Sequence, residues 1–237
     1  MSDITTVARW LADADAIVTF SGAGLSKASG IPTYRDAGGL WKQGGNLRFS
    51  SADALAADPE GFRAFWAARR AEVAQAEPNA AHRAFAQLEA LRPGVQHITQ
   101  NVDGLLGRAG CTVVHELHGS LERWRCDACG ARDVIAQAPC PTCCAATRPD
   151  VVMFGEMLDA ATLAAAEWAA KRSQVCLVVG TTGIVHPAAG LVAKARSRGS
   201  KVVVVNVEAS DLDAQADALL RGPAERIVAE LVAALRR

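Results

Sequence analysis

The chain has 237 residues, half of them apolar, and its 25 basic side chains balance its 25 acidic ones. This length can bury the core of one large α/β domain with a small insert, or of two modest domains. The even charge removes the electrostatic signature of a nucleic-acid binder, and no apolar run reaches the length of a membrane span.

The first residues and the cysteine pattern predict the cellular compartment of the protein. Residues 1–16 carry three aspartates and lack the basic start of a secretion signal. Seven cysteines are an odd number, and four of them form two Cys-x-x-Cys pairs, which is typical of metal binding in a reducing compartment. We therefore predict a cytoplasmic protein with neither a nucleic-acid nor a membrane partner.

The first predicted strand, residues 16–20, runs into a glycine-rich loop. Gly22 and Gly24 would let backbone N–H groups approach a phosphate, although Lys27 stands where the dinucleotide fingerprint has its third glycine. A tight structural turn is the alternative. The segment continues to Trp41, far beyond an ordinary αβ connection, so we predict that it covers a ligand.

Further apolar strand candidates follow along the chain, at residues 95–99, 112–117, 175–180 and 202–206. Between and after them lie helical patterns, at residues 80–91, 160–170, 187–197 and 223–235. Buried runs separated by helices are typical of parallel strands covered on both faces. We predict a doubly wound, Rossmann-like α/β parallel sheet with its ligand at the carboxyl ends of the strands.

Two segments interrupt this alternation, and we predict that they form a smaller module. Residues 42–78 are polar and then helical, and residues 121–149 hold the cysteine pairs. The large part would then comprise residues 1–41, 79–120 and 150–237.

The cysteine pairs are the most specific pattern in the sequence: Cys126, Cys129, Cys140 and Cys143, with ten residues between the pairs. Four thiolates close a tetrahedral site without an open position, which predicts structural Zn²⁺. Cys144 is an alternative ligand, and four reduced thiols in a small core are the alternative to a metal.

Ordered motifs over nearly the whole chain resemble the sirtuin family of NAD-dependent protein-lysine deacylases. They are GAGLS from residue 22, GIPTYR from 30, GLW from 39, TQNVDGL from 99, HELHGS from 115, the cysteine pairs, RPDVVMFGE from 148, VGTT from 179, PAA from 187 and VNVE from 205. The resemblance implies one catalytic domain, spanning residues 1–237, that acts on acyl-lysine proteins. NAD would be consumed, with nicotinamide and an O-acyl-ADP-ribose as products.

The resemblance also implies which residues bind NAD. The pyrophosphate would be held by Gly22, Ala23, Gly24, Ser26, Gly180, Thr181 and Thr182. Around the nicotinamide and its ribose would lie Tyr34, Arg35, Trp41, Gln100, Asn101, Val102 and Asp103. The adenosine would lie against Asn206, Val207, Glu208 and Ala224.

By the same resemblance, His118 is the general base. Imidazole titrates near neutrality and can take a proton from a ribose hydroxyl without a large pKa shift. In the family's chemistry the acyl-lysine amide oxygen attacks the anomeric carbon of NAD, nicotinamide leaves, and the activated hydroxyl captures the acyl carbon. The other histidines, His82, His97, His115 and His186, are predicted to be hydrogen-bonded core residues.

The peptide would pair as a strand with Met153, Phe154, Gly155 and Glu156, by resemblance. Ordinary loop packing is the alternative role of this segment.

Trp66 and Arg69 lie where the family pattern distinguishes which acyl group is removed. Family members that remove succinyl or malonyl groups carry Tyr-x-x-Arg at this place and an alanine in the loop, here Ala37. Trp66 and Arg69 share a helix face, and a guanidinium in an apolar tunnel would bind an acyl carboxylate. We therefore expect a succinyl or malonyl preference with acetyl also used, the alternative being that Arg69 is a solvated charge.

This chain departs from the family pattern at Trp66 in place of tyrosine, at Tyr34 in place of phenylalanine, and at Cys144 and Ala145 in place of paired glycines. Two other functions fit the same NAD site. One is an ADP-ribosyltransferase or NAD hydrolase, and the other is an inactive NAD-sensing module.

Overall fold

The computed structural model describes residues 4–33, 47–134 and 139–236. The strands in these ranges are β1 (Ile17–Ser21), β2 (Val95–Thr99), β3 (Val114–Glu116), β4 (Gly119–Arg125), β5 (Arg148–Val151), β6 (Val175–Val179), β7 (Lys201–Asn206) and β8 (Ala218–Arg221). The α-helices are α1 (Ile4–Asp13), α2 (Ala54–Ala57), α3 (Pro59–Gln75), α4 (Ala80–Leu91), α5 (Leu105–Arg108), α6 (Ala160–Arg172), α7 (Gly190–Ser197) and α8 (Ala224–Ala234). None of the described helices combines the length and apolar character needed to cross a bilayer.

Six of these strands form one parallel sheet in the order β3-β2-β1-β6-β7-β8. The chain builds outward from β1 to β2 and β3 on one side, then crosses back to β6, β7 and β8 on the other. The predicted doubly wound α/β sheet is confirmed.

Alternate residues of the central strands face two separate cores. Ile17 packs with α1, α4 and α8, whereas Val18 packs with α6 and α7 on the opposite face. The helix α8 shows why these helices form, since its apolar residues recur at helical spacing on the buried side. They are Ala224, Ile227, Val228, Leu231 and Val232.

A third core lies beside the sheet, where the antiparallel pair β4 and β5 meets α3. Asp58 caps α3 by accepting a 2.9 Å bond from the Gly61 N–H, and Pro59 occupies the first helical turn. Phe62 and Trp66 of α3 pack with Leu121 of β4 and Val151 of β5, a strand pair that we call the β4–β5 hairpin.

The predicted elements differ from the observed ones mainly at their ends. The candidate strand 112–117 shortens to Val114–Glu116, and the candidate helix 187–197 begins at Gly190. The strands β4, β5 and β8 were not expected. Three charged side chains interrupt β4, and β8 is a four-residue strand at one end of the sheet, so neither shows a long apolar run.

Candidate active site

The carboxyl ends of the parallel strands open into a cavity of about 620 Å³. It lies where the strand order reverses at β1, the usual position of ligands in doubly wound sheets. Its volume is that of a small-molecule site. Predicted cofactor residues that line it are Gly22, Ala23, Gly24, Gln100, Asn101, Val102, Gly180, Thr181, Thr182, Asn206, Val207, Glu208 and Ala224.

The glycines bring two loops into backbone contact. The Gly24 N–H donates to the Gly180 carbonyl at 2.8 Å, and the Gly22 N–H donates to Val179 at 3.1 Å. A Cβ on Gly24 would lie 2.7 Å from the Gly180 Cα, which leaves no room for a side chain. The N–H groups of Gly22 and Gly24 thus donate to β6 and to the loop that follows it, whereas the glycine pattern predicts that they approach a phosphate.

Ser26 and Asp103 brace this loop from behind. The Ser26 hydroxyl donates to Asp103 at 2.7 Å, and Asn101 donates to the Ser26 Oγ and to the Gly22 carbonyl, both at 3.1 Å. Burial raises the pKa of Asp103, against the opposing effect of hydrogen bonds from Ser26 and Leu105. Ser26 and Asp103, both predicted to bind the cofactor, are buried. Their hydrogen bonds hold Asn101 in place, and Asn101 and Gly22 line the cavity.

A second set of bonds joins the ends of β2, β6 and β7. Gln100 donates to the Thr181 hydroxyl at 3.0 Å, and Asn206 donates to the Thr181 carbonyl at 2.8 Å. Val207 and Glu208 follow on the exposed rim. A carboxylate after a parallel strand is suited to accept hydrogen bonds from sugar hydroxyls.

His118 lines the same cavity, and its tautomer follows from one contact. Its Nδ1 lies 2.9 Å from the Gln100 carbonyl oxygen. A carbonyl can only accept, so Nδ1 carries the proton and Nε2 keeps a free lone pair. Burial lowers the pKa of His118, and the bond to Gln100 opposes that shift. The arrangement is that of a neutral imidazole ready to act as a base.

The segment of residues 153–156 forms one wall of the cavity. The Phe154 N–H donates to Ser50 at 2.7 Å, and the Phe154 carbonyl accepts from Ala52 at 3.0 Å. A peptide would therefore pair with backbone groups of this segment other than those of Phe154. Glu156 folds back onto the Met153 N–H at 2.9 Å and fixes the turn.

Trp66 lines the cavity, but Arg69 does not appear among the described lining residues. The Trp66 indole N–H donates to the Phe49 carbonyl at 2.9 Å. The Arg69 guanidinium is largely buried, at 12% side-chain exposure, and is paired with Glu72 on the same helix. Trp66 and Arg69 lie three residues apart on α3, as predicted, and the indole N–H and the guanidinium are each already bonded to another group of the protein.

The four predicted zinc ligands converge between β4 and β5. The sulfur atoms of Cys126 and Cys143 lie 3.6 Å apart, those of Cys129 and Cys140 lie 3.5 Å apart, and all four fall within 4.8 Å of one another. Tetrahedral Zn²⁺ with bonds of about 2.3 Å needs sulfur separations of roughly 3.8 Å. These residues fit a structural Zn²⁺.

Cys144 lies outside this four-sulfur cluster. Its φ of 60° is in the left-handed region that favours glycine, so the cysteine adopts a backbone conformation that suits the glycine of the family pattern better.

Four predicted site residues, Tyr34, Arg35, Ala37 and Trp41, lie outside the described residues.

Sequence reasoning missed part of the cavity wall. His186, predicted to be a core residue, is exposed and lines the cavity, because the loop after β6 carries it to the rim. His82 and His97 are fully buried, as predicted, and burial lowers the pKa of each to about 4. Lys27, Ser210 and Glu225 also line the cavity, and no motif had marked the last two.

Comparison with known proteins gives matches along nearly the whole chain. The family model described as the Sir2 family matches residues 22–187. A protein of Ralstonia nicotianae, named NAD-dependent protein deacylase, is 44% identical over 223 residues, which covers 91% of this chain and 90% of the relative.

Two solved structures are also similar. The crystal structure of a Sir2 homologue in complex with NAD has 38% identity and a TM-score of 0.91, covering 98% of this chain and 93% of that one. A Sir2 protein bound to a myristoylated histone peptide has 31% identity and a TM-score of 0.79, covering 99% and 96%.

Proposed function

Because this chain belongs to the Sir2, or sirtuin, family, we propose that it is an NAD-dependent deacylase of protein lysine side chains, with His118 as the general base. Relatives at 38–44% identity over most of the chain are named NAD-dependent protein deacylases. The large cavity would hold NAD, and residues 153–156 would hold the peptide.

One contact carries the catalytic assignment: the bond from His118 Nδ1 to the Gln100 carbonyl. It commits the ring proton to Nδ1 and leaves Nε2 as the basic atom. A base in this position would take a proton from a ribose hydroxyl of the bound dinucleotide. Gln100 follows β2 directly, so the rigid sheet fixes the orientation of the imidazole.

The cavity fits NAD by volume and by its polar groups. The amides of Gln100, Asn101 and Asn206 are already oriented by hydrogen bonds, so they need little reorganisation when a ligand enters. Bound NAD would supply the bond to nicotinamide whose cleavage makes the ribose carbon reactive toward the acyl oxygen. The residues of the chain would hold the sugar, exclude water and move the proton.

The peptide class follows from the edge formed by residues 153–156. Backbone pairing gives affinity with little demand on the sequence of the peptide, which suits modified lysines in many proteins. The similar Sir2 protein bound to a myristoylated histone peptide supports an acylated peptide as substrate.

We further propose a preference for succinyl or malonyl groups, with acetyl also used. Trp66 lines the cavity, and Arg69 lies one helical turn further along α3. An acyl carboxylate would replace Glu72 as the partner of the largely buried Arg69 guanidinium. Such a charged bond is worth roughly 1.5–3 kcal/mol, which corresponds to about 10- to 100-fold in selectivity.

The proposed activity is tested with purified protein, NAD and acyl-lysine peptides, measuring nicotinamide release and deacylated peptide. His118→Ala should lower kcat/KM by roughly 10²- to 10⁴-fold while NAD still raises the melting temperature. The control is His115→Gln, which changes a half-buried histidine bonded to Gln96. Full activity of His118→Ala would refute the assignment of the base.

The same assay separates the other uses of NAD. Nicotinamide release without peptide, or transfer of label from the adenylate half onto protein, would indicate a hydrolase or an ADP-ribosyltransferase. NAD stabilisation without any turnover would indicate a sensing module.

The acyl preference is tested with matched succinyl and acetyl peptides. Arg69→Met should reduce the ratio of their kcat/KM values by 10-fold or more. The control, Arg70→Met, removes an exposed arginine next to it on α3. An unchanged ratio in Arg69→Met would remove the carboxylate-binding role.

We also propose a reducing, cytoplasmic location, on the basis of the four thiols that a metal would hold. We also propose that the large parallel-sheet part and the smaller module lie on either side of the cavity. The basis is that the third core, in the smaller module, lies beside the two cores that cover the sheet.

A further inference from the structure

Three metal-binding side chains meet on the α4 face of the sheet. They are Glu89 of α4, His97 of β2 and Cys111, which follows α5. One carboxylate oxygen, one imidazole nitrogen and the thiol sulfur all lie within 4.8 Å of one another. Three separate elements thus bring three different donor types to one point.

The cluster is enclosed and held in place. His97 is fully buried, Cys111 is 6% exposed, and the Glu89 side chain is 13% exposed. The Nε2 of His97 lies 3.1 Å from Glu89, and its Nδ1 lies 2.9 Å from the Thr19 hydroxyl. A second partner that fixes the far nitrogen of a histidine is the usual support of a metal ligand.

Glu89 is also oriented from the other side. The Thr112 N–H lies within 3.0–3.1 Å of both Glu89 carboxylate oxygens, and the Thr112 hydroxyl contacts one of them. Thr112 is exposed, so it marks the side from which an ion could enter. The ligands therefore lie close to the surface on the side of Thr112.

We propose that Glu89, His97 and Cys111 form a second Zn²⁺ site, separate from the four-cysteine cluster. Imidazole, thiolate and carboxylate are the three donor types that Zn²⁺ uses in proteins. A neutral imidazole with two anionic ligands balances the charge of a divalent ion. The fourth position would be taken by water on the side of Thr112.

The geometry requires only small adjustments. Bonds of about 2.0 Å to nitrogen and oxygen and about 2.3 Å to sulfur place tetrahedral ligand atoms roughly 3.3–3.6 Å apart. The nitrogen and carboxylate oxygen are already at 3.1 Å, and the sulfur must approach by about 1.3 Å at most. The three side chains come from α4, β2 and the segment before β3, so the ion would tie these elements together.

The site is distinct from the machinery described above. Among the described residues that line the large cavity, none of the three ligands occurs. A metal here would brace β2, whose carboxyl end leads into Gln100 and Asn101. Its expected role is structural, under the part of the sheet that carries the candidate active site.

The experiment counts zinc. The full chain is purified with a phosphine reductant, titrated with Zn²⁺ against a competing chelating dye, and its metal content is measured by mass spectrometry. The wild type should bind two equivalents per chain, whereas Cys111→Ser and Glu89→Gln should each bind one. The matched control is Cys176→Ser, which alters another buried cysteine on the opposite face of the sheet and should keep two.

Titration with Co²⁺ identifies the ligand type. The second equivalent should add a thiolate-to-metal absorption band in the wild type and in Cys176→Ser, but not in Cys111→Ser. Circular dichroism and NAD-dependent deacylation verify that each variant is folded, and Glu89→Gln carries the test if Cys111→Ser does not fold. One equivalent in the wild type, or a second equivalent that persists in the folded variants, would overturn the site.

Discussion

The protonation of His118 is governed by two neighbouring effects of opposite sign. Burial disfavours the imidazolium and lowers the pKa of His118. The bond to the Gln100 carbonyl favours the imidazolium, but it offsets only part of that lowering. A general base works only when it is unprotonated, so a lowered pKa extends activity to more acidic solution.

We predict that kcat/KM falls on the acid side with a midpoint below 6.5, the ordinary value of histidine. The plateau should include neutral pH, because the imidazole is already unprotonated there. The measurement is a pH profile of kcat/KM, which reports groups of the free enzyme. A midpoint above 6.5 would contradict both the burial argument and the role of His118.

Gly180 offers a prediction about close packing. Its φ of 65° is costly for other residues, and a Cβ there would lie 2.4 Å from the Leu25 nitrogen. Gly180→Ala should lower the free energy of unfolding by about 1–3 kcal/mol from backbone strain alone, and weaken NAD binding by separating the two loops. Thermal unfolding with and without NAD measures both effects.

The matched control for this change is Gly190→Ala in α7, where a Cβ would meet nothing within 4 Å. That variant should unfold at or above the wild-type temperature, since alanine favours helix more than glycine does. Equal behaviour of the two variants would refute the loop-packing role of Gly180.

At the scale of elements, Arg148 joins the cysteine cluster to the proposed peptide segment. Its buried guanidinium contacts Asp127, which lies between Cys126 and Cys129, and also contacts Glu156. It donates a further bond to the Val151 carbonyl at 3.0 Å. Glu156 in turn holds the Met153 N–H, so one arginine connects β5 with the loops on either side of it.

Glu156→Gln removes one of the two carboxylate charges that Arg148 contacts without changing the size of the side chain. Loss of one charged hydrogen bond costs about 1.5 kcal/mol, so we expect the KM for the peptide to rise roughly tenfold with little change in the KM for NAD. Steady-state kinetics with each substrate varied in turn makes the measurement.

Glu60→Gln, an exposed change at the start of α3, is the control and should leave both constants unaltered. An increase confined to the KM for NAD would contradict the proposal that Glu156 supports the peptide-binding segment.

Whole elements were predictable where one local signal dominates. The continuous apolar runs of β6 and β7 indicate strands buried on both faces, and the helical spacing of apolar residues predicts α4. β8 and β4 have no such signal, because β8 has only four residues and charged side chains interrupt β4.

The site divides in the same way. The resemblance to the sirtuin motifs indicated His118, and the local Cys-x-x-Cys spacing indicated the four cysteines. The cluster of Glu89, His97 and Cys111 depends on side-chain packing in three dimensions and could not be predicted from spacing alone. The Arg69–Glu72 pair, by contrast, lies at i,i+3 on one helix, a spacing that brings two side chains together.

At the scale of the whole molecule, the four-cysteine cluster stabilises the part of the chain with the smallest core. The hairpin formed by β4 and β5 spans the cluster, and Leu121 and Val151 from its strands pack with α3. Metal bound only by the folded chain adds its binding energy to folding. Loss of the metal should therefore loosen the hairpin first and the parallel sheet later.

We predict that Cys129→Ser binds one zinc fewer than the wild type, unfolds at a lower temperature and loses peptide binding before NAD binding. The order follows because residues 153–156 begin two residues after the end of β5, whereas the glycine loops follow strands of the parallel sheet. Zinc content, thermal unfolding and separate titrations with NAD and acyl-peptide test it. Cys144→Ser alters an adjacent exposed cysteine outside the cluster and should match the wild type in all three, so equal zinc loss in both variants would contradict the assigned ligand set.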